Sequence, residues 1–273
     1  MNIKNWTGER LETFVNSEVA VEHLHRYAVV LQLAKNKTVL DIASGEGYGS
    51  NLIAGIAKEV VGVDISKDAV GRSNNKYKKD NLKFIEGSTS EIPLPDNHFD
   101  LVVSFETIEH HDKHDEMLSE IKRVLKPDGL LVISSPDKKY YTDKRNFHNK
   151  YHMKELYENE FKELIRANFA ESNFYYQRAT FVSLLIPEKG KYDFEEYKGD
   201  YDSIIKNEEF EQMYILAIAS NGNLPNVPLS VFKDDELIGR LMTNTINNVK
   251  HTLSYKIGHN LLWPFKKMKK LIS

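Results

Sequence analysis

The sequence predicts an α/β protein built on a doubly wound, mostly parallel sheet, and three observations carry that expectation. The apolar run Thr38–Ile42 reads as a buried strand that breaks into a turn with Gly45, Gly47 and Gly49, and the Asn51–Ala57 stretch behind it is helix-like. About twenty residues on, a second strand, Glu59–Val63, ends in an acid, Asp64. From Lys35 to Ser135 strand-like and helix-like stretches alternate, as parallel strands joined by crossover helices require. Ligands of such sheets bind beyond the carboxyl ends of the strands, where the strand order reverses. Asp41–Gly49, Asp64 and Phe105–His110 are therefore expected to converge on one cleft.

The glycine turn lets backbone approach a ligand where a Cβ would clash. Asp64 is placed to take ribose hydroxyls, so the ligand is expected to contain adenosine. Composition narrows the rest. At 273 residues, with 41% hydrophobic and 28% charged residues, the chain suits one large domain with additions. A net charge of −3 argues against a nucleic-acid footprint. The absence of cysteine excludes disulfides, thiolate metal sites and a cysteine nucleophile, and fits a cytoplasmic protein. Met1–Phe14 shows no charged-then-apolar signal pattern, and no apolar run approaches the roughly 18–20 residues that span a bilayer.

Taken in order, residues 1–34 are expected to form an N-terminal capping region, with Glu18–Leu33 an amphipathic helix on the spacing of Val19, Leu24, Tyr27, Val30 and Leu31. His23 and His25 are not four apart, as a zinc-protease helix needs, and read as surface or packing residues. Residues 35–220 form the main domain. Lys154–Phe169 is helical, and Phe174–Tyr176 and Tyr214–Ala219 are the last two strands, an antiparallel pair. The connection between them, about 177–212, carries Tyr192, Phe194, Tyr197 and Tyr201 and reads as a substrate lid, with a disordered loop as the alternative. Residues 221–273 form a basic extension. Its end, Trp263–Leu271, interleaves apolar residues with lysine, a pattern that suits an anionic bilayer surface at the inner face of a membrane as well as a packed terminal helix.

The ordered set of motifs is more specific than any single one. Val39–Gly49 is followed by Asp64, by Gly87-Ser88-Thr89-Ser90-Glu91-Ile92-Pro93, by Phe99–Phe105, and by Arg123–Gly129 leading into Leu130–Ser134. This series resembles the class I S-adenosylmethionine-dependent methyltransferases over roughly residues 35–180. The resemblance implies a Rossmann-like, seven-stranded sheet with an antiparallel last strand, and S-adenosylmethionine as cofactor. Its binding residues would be Asp41, Ala43, Gly45, Gly47, Asp64, Ile65, Ser88, Thr89 and Phe105. Arg10 and Arg26 are candidates for the methionine carboxylate. The chain departs from the pattern at Ala43 and Asp128, where the family often has glycine, and at Ser88, where it often has an adenine-contacting Asp.

Methyl transfer from a sulfonium needs an aligned acceptor and, for a hydroxyl, a route for its proton. Glu106, Glu109 and His110 stand at i, i+3 and i+4, so a helical turn would place them on one face, with His111 adjacent. Together with His152, they resemble the Glu-x-x-Glu-His site of the metal-dependent ubiquinone-pathway and small-RNA 2′-O-methyltransferases. That resemblance implies a divalent ion, Mn, Mg, Fe, Co or Zn, on Glu106, Glu109, His110 and His152. In the metal-free alternative, His110 or His111 is a general base, with Glu106 beside it. His98 and His114 read as surface residues, and His148 as a candidate for the substrate entrance. The Thr-Gly-Glu-Arg start and the Glu-His-Leu-His-Arg-Tyr helix are similar to methyltransferases of surface-polysaccharide assembly. The expected activity is O-methylation of a sugar hydroxyl on a glycan or lipid-linked glycan. The alternatives are a phenolic or quinone-precursor acceptor, and a cofactor-binding module without chemistry.

Overall fold

The computed structural model describes residues 11, 18–179, 183–188, 196–199, 204–207, 210–232, 243 and 246–257, with backbone alone at 183–184, 196–199 and 204–207. The apolar runs become buried strands. β1 (Thr38–Ile42) is buried at every position, and β2 (Glu59–Asp64), β4 (Phe99–Phe105) and β5 (Leu125–Pro136) are buried over most of theirs. They join β3 (Leu82–Glu86), β6 (Glu171–Ala179), β7 (Ser183–Pro187), β10 (Tyr214–Ser220) and β11 (Ser230–Phe232) in one sheet of order β11-β7-β6-β10-β5-β4-β1-β2-β3. β1 pairs in parallel with both β2 and β4, so the order reverses at β1, as a doubly wound sheet requires.

β10 runs antiparallel between β5 and β6, which accounts for the expected antiparallel pair. The sheet has nine strands rather than seven, because β7 and β11 extend its edge. β7 and the end of β6 come from within the expected lid, which also holds the two-stranded β8 (Glu196–Gly199) and β9 (Ile204–Asn207). Tyr192, Phe194 and Tyr201 of that lid, and the tail Trp263–Leu271, lie outside the described residues. Tyr197 is described by its backbone alone.

Two apolar layers cover the sheet. On one face α4 (His114–Val124) and α5 (Glu158–Asn168) bury Met117, Leu118, Ile121, Phe161 and Ile165 against Val102, Leu131 and Phe174. On the other, α1 (Glu18–Ala34) buries Tyr27, Val29, Val30 and Ala34 against Val39, Val103 and Val132. α3 (Lys67–Lys76) follows β2 and is capped by Ser66, whose hydroxyl accepts from the Ala69 N–H. α5 starts four residues later than the periodicity suggests. The Met153 and Lys154 N–H groups donate to the Glu109 carbonyl, at 2.8 and 3.0 Å, which holds that stretch out of helix. Among the described residues no helix is long and apolar enough to cross a membrane.

The glycine turn is shaped by packing as much as by ligand access. α2 (Tyr48–Ile53) opens on Gly47, whose φ of 75° favours glycine, and a Cβ there would lie 2.7 Å from the Phe84 ring. A Cβ at Gly49 would overlap the Tyr27 ring of α1. Gly49→Ala is therefore expected to lower stability by about 1–3 kcal/mol, read as a shifted urea midpoint. Adding Tyr27→Ala should give a double variant less destabilised than the sum of the two single changes; strict additivity would refute this contact as the cause.

Candidate active site

The strand ends at the reversal open into a cleft of about 550 Å³, lined by the glycine turn, Asp64, the Gly87–Ser90 loop, Phe105 and the Glu106–His111 segment. Ala43 leaves β1 with φ 61° and Glu106 leaves β4 with φ 52°. Two neighbouring strands thus turn sharply at the same level, each through a residue other than glycine. Asp64 holds the turn from the next strand. Its Oδ2 accepts from the Gly45 N–H and its Oδ1 from the Ser66 N–H, both at 2.8 Å. Ala43, Gly45, Asp64, Ile65, Ser88, Thr89 and Phe105 all line the cleft, as the sequence implies.

Asp41 and Gly47 do not line it. Asp41 is buried under the turn and accepts from Ser50 Oγ at 2.6 Å, so it supports the turn from behind. Gly47 is turned toward Phe84 and Ser73, as its close contacts show. Arg26 is not at the surface of the cleft either. It is fully buried beneath it, between the rings of Phe105 and Tyr214, with Nη1 donating to Gln177 Oε1 at 2.9 Å and lying 3.7 Å from Glu106 Oε1. Burial pulls the guanidinium toward neutrality, but Glu106, Tyr214, Glu22 and Tyr48 together outweigh it and hold the pKa above the ordinary arginine value. Arg10 lies outside the described residues.

The acceptor end of the cleft is acidic and imidazole-rich. A single 3-10 turn, Ile108–His110, follows Glu106. Ligand atoms of Glu109, His110 and His152 lie within 4.8 Å of one another. The Glu109 carbonyl bonds to Met153 and Lys154 explain why two segments more than forty residues apart meet here. Glu106 is not part of this group. Its left-handed backbone removes it from the helical face it was expected to share, and its Oε1 instead accepts from Ser134 Oγ at 2.6 Å, on the strand paired with β4. His111 faces the cofactor side, 3.3 Å from Thr89 Oγ1. Burial and then the neighbouring His114 lower its pKa.

Each histidine of the cluster has its tautomer set. His110 Nδ1 donates to the Tyr151 carbonyl at 2.9 Å, and His152 Nδ1 donates to Glu155 Oε1 at 2.5 Å. Both rings then carry their lone pair on Nε2, where the His152 ring accepts from Asn149 Nδ2 at 2.9 Å; carbonyl and carboxylate partners fix metal-binding histidines in the same way. Glu109 Oε2 is buried without a hydrogen-bond partner. Burial, and then the Glu106 charge, push its pKa well above the ordinary value. One orphaned carboxylate oxygen and two fixed imidazoles fit a divalent cation with open positions.

Other residues of the cleft were not read from the sequence as site residues, and His23, read there as a surface or packing residue, lines the cleft instead. His23 accepts from Tyr48 OH at 2.9 Å, and Tyr141, Asn149 and Tyr151 line the acceptor end. Tyr141 stacks on His152, with centroids 5.4 Å apart at 23°. His114 is buried, not exposed, and donates to the His111 carbonyl at 2.8 Å. His148 is exposed and not among the cleft residues.

The strand order, the reversal at β1 and the antiparallel β10 settle the architecture. This is the class I methyltransferase fold. Residues 40–133 match the methyltransferase domain family. A probable S-adenosylmethionine-dependent methyltransferase of Mycobacterium tuberculosis is 35% identical over 164 residues, 58% of either chain. A fatty-acid O-methyltransferase of Mycolicibacterium smegmatis is 26% identical over 128 residues, 44% of this chain and 47% of that one. The chain thus spans about half the length of the curated relatives it matches. Among solved structures, the YcgJ protein of Bacillus subtilis superposes with a TM-score of 0.54 at 18% identity, over 74% of this chain and 100% of that one.

In this methyltransferase fold the buried acid of β1 has a measurable signature. Burial pushes the Asp41 carboxyl up to about 7, against the hydrogen bond from Ser50, and the Asp64 charge adds to the rise. The unfolded chain releases that proton near pH 3.9 or so. Between those values the folded state binds the extra proton, so the Asp41 contribution to stability falls as pH rises and levels off above about 7. Relative to wild type, Asp41→Asn is expected to gain stability steadily from pH 4.5 to 7.5 in thermal unfolding. A difference independent of pH would refute the shifted carboxyl.

Proposed function

We propose that the chain is an S-adenosylmethionine-dependent O-methyltransferase whose acceptor is a sugar hydroxyl of a glycan or lipid-linked glycan. The observation that carries this reading is the convergence of Glu109, His110 and His152 in the cleft that the glycine turn, Asp64 and the Gly87–Ser90 loop also line. Asp64 would take the ribose hydroxyls, giving up its backbone N–H partners in part, with Ile65, 71% exposed, against the base. The acceptor end is walled by polar and aromatic groups, which suit a hydroxylated ring better than the alkyl chain of a fatty acid.

The residues' own work is to orient the hydroxyl and receive its proton. The Tyr151 carbonyl fixes the His110 ring with its lone pair on Nε2, and Glu155 does the same for His152. Burial disfavours the charged form of Glu109, and a cation or a protonated ring beside it would favour that charge again. A divalent cation held by Glu109, His110 and His152 would lower the pKa of the bound hydroxyl. A metal-free reading, with His110 as general base, is favoured by the same fixed tautomer.

A labelled-methyl transfer screen across nucleotide sugars, glycans, phenols and fatty acids, run with and without chelator, tests this. Transfer to a sugar oxygen, lost to chelator and restored by a divalent ion, is expected; chelator-insensitive transfer would assign the step to His110 alone, and transfer to phenols or fatty acids only would overturn the acceptor. His110→Ala and Glu109→Gln should each lower kcat at least a hundredfold, while calorimetry finds binding of the demethylated cofactor within threefold of wild type. Asp64→Ala should weaken that binding roughly tenfold or more.

A further inference from the structure

The acceptor end carries a charge pattern that sugar methylation alone does not require. Residues 138–154 hold six cationic side chains, at 138, 139, 144, 145, 150 and 154, against a single acid, Asp143, in a chain of net charge −3. Asp143 is engaged by the Tyr157 hydroxyl at 2.9 Å, and Lys144 is paired with Glu211 at 2.5 Å. Arg145 differs. Its guanidinium lies over two aromatic rings, 5.6 Å from the centroid of Tyr141 and 5.3 Å from that of Phe147. Its one hydrogen bond among the described residues goes to the Met213 sulfur at 3.6 Å, a weak acceptor. No carboxylate pairs with it among those residues.

Tyr141 places this guanidinium at the site. The same ring lines the cleft and stacks on His152, so Arg145 stands no more than two ring spacings from the imidazole that would face the reacting hydroxyl. Lys113 lines the cleft and is exposed. Lys150 lies over Tyr151, another cleft residue, at 4.8 Å. Aromatic faces hold a guanidinium in place without neutralising it. A planar fork held that way is preorganised for the oxygens of a phosphoryl group, and several flanking cations suit more than one negative charge.

Arg145 is not itself a cleft-lining residue; it lies over Tyr141, which is. We propose that the acceptor is anionic, a sugar carrying a phosphoryl or diphosphoryl group that reaches past Tyr141 to Arg145 while its hydroxyl lies against Glu109, His110 and His152. This deepens the reading of the site as a sugar O-methyltransferase and rests on it. The diphosphate could link the sugar to a nucleoside or to a lipid carrier, and both share the chemistry that Arg145 would recognise.

Binding, not turnover, tests this. Full-length protein saturated with the demethylated cofactor is titrated with inorganic pyrophosphate by calorimetry. Arg145→Gln is expected to weaken pyrophosphate binding roughly ten- to hundredfold, with Arg145→Lys recovering part and cofactor affinity unchanged in both. Lys122→Gln, an exposed change on α4 away from the cleft, controls for net charge. No detectable pyrophosphate binding, or equal weakening by Lys122→Gln and Arg145→Gln, would overturn the proposal. Uridine diphosphate and a short isoprenyl diphosphate are then used as competitors. Displacement of pyrophosphate by either supports the site, the tighter one identifying the carrier, and failure of both overturns it. If pyrophosphate binds through Arg145 but no sugar oxygen is methylated, the methyltransfer reading falls and the anion site stands.

Discussion

A fully buried guanidinium sits where the whole architecture meets. Arg26 reaches from α1 through the sheet-facing layer to Glu106 at the end of β4, Gln177 on β6 and the ring of Tyr214 on β10. Gln177 in turn donates to the Glu22 carbonyl, and Glu22 accepts from the Ala179 N–H, so the helix and the far half of the sheet are fastened through one charged cluster. A buried charge is tolerated only when its partners are in place; removing one partner of such a pair typically costs about 3–5 kcal/mol. The floor of the cleft is therefore set by an electrostatic requirement rather than by apolar packing alone. Glu106 owes its position to this requirement, which the hydroxyl of Ser134 reinforces from the adjoining strand.

The cleft divides along the same line. On the cofactor side the lining is the glycine turn and short hydroxyl side chains, held by Asp64 and by the bridge between Thr89 and His111. On the acceptor side the polar atoms belong to long side chains whose orientation depends on a second layer, Tyr151 behind His110 and Glu155 behind His152. The first arrangement suits a ligand shared by a large family. The second varies easily with the loop that carries it, which is how one fold serves many acceptors.

Much of this was legible in the sequence, for local reasons. The strand, glycine turn and Asp64 are read from spacing because the contacts that define them lie within about twenty residues of chain. The cluster was legible only in part. Treating Glu106 as one turn of helix before Glu109 and His110 ignores that the chain leaves β4 through a left-handed residue, which no pattern of residue types announces. Asp41 and Gly47 were assigned to the ligand because motif position does not distinguish facing a cleft from supporting its wall. Arg26 and His114 looked polar and hence accessible, yet long-range partners bury them. β11 escaped notice because its pairing with β7 joins segments more than forty residues apart, whereas β7 pairs locally with β6 inside the stretch read as a lid. The aromatic and cationic content of residues 138–154 was visible as composition, but its relation to His152 is a matter of stacking geometry.

The contact between Gly49 and Tyr27 bears on where the domain can be cut. The matched family region begins at residue 40, which invites expression of a shorter catalytic unit starting just before β1. Such a fragment would lose the ring that closes over the glycine turn, and would bare the sheet face that Val29, Val30 and Ala34 cover. It would also strand Glu106 beside a vacated site with no counter-charge. The helix preceding the recognisable motif is thus a wall of the nucleotide pocket contributed from outside it, and any transplantation, permutation or minimisation of this chain has to carry that helix along.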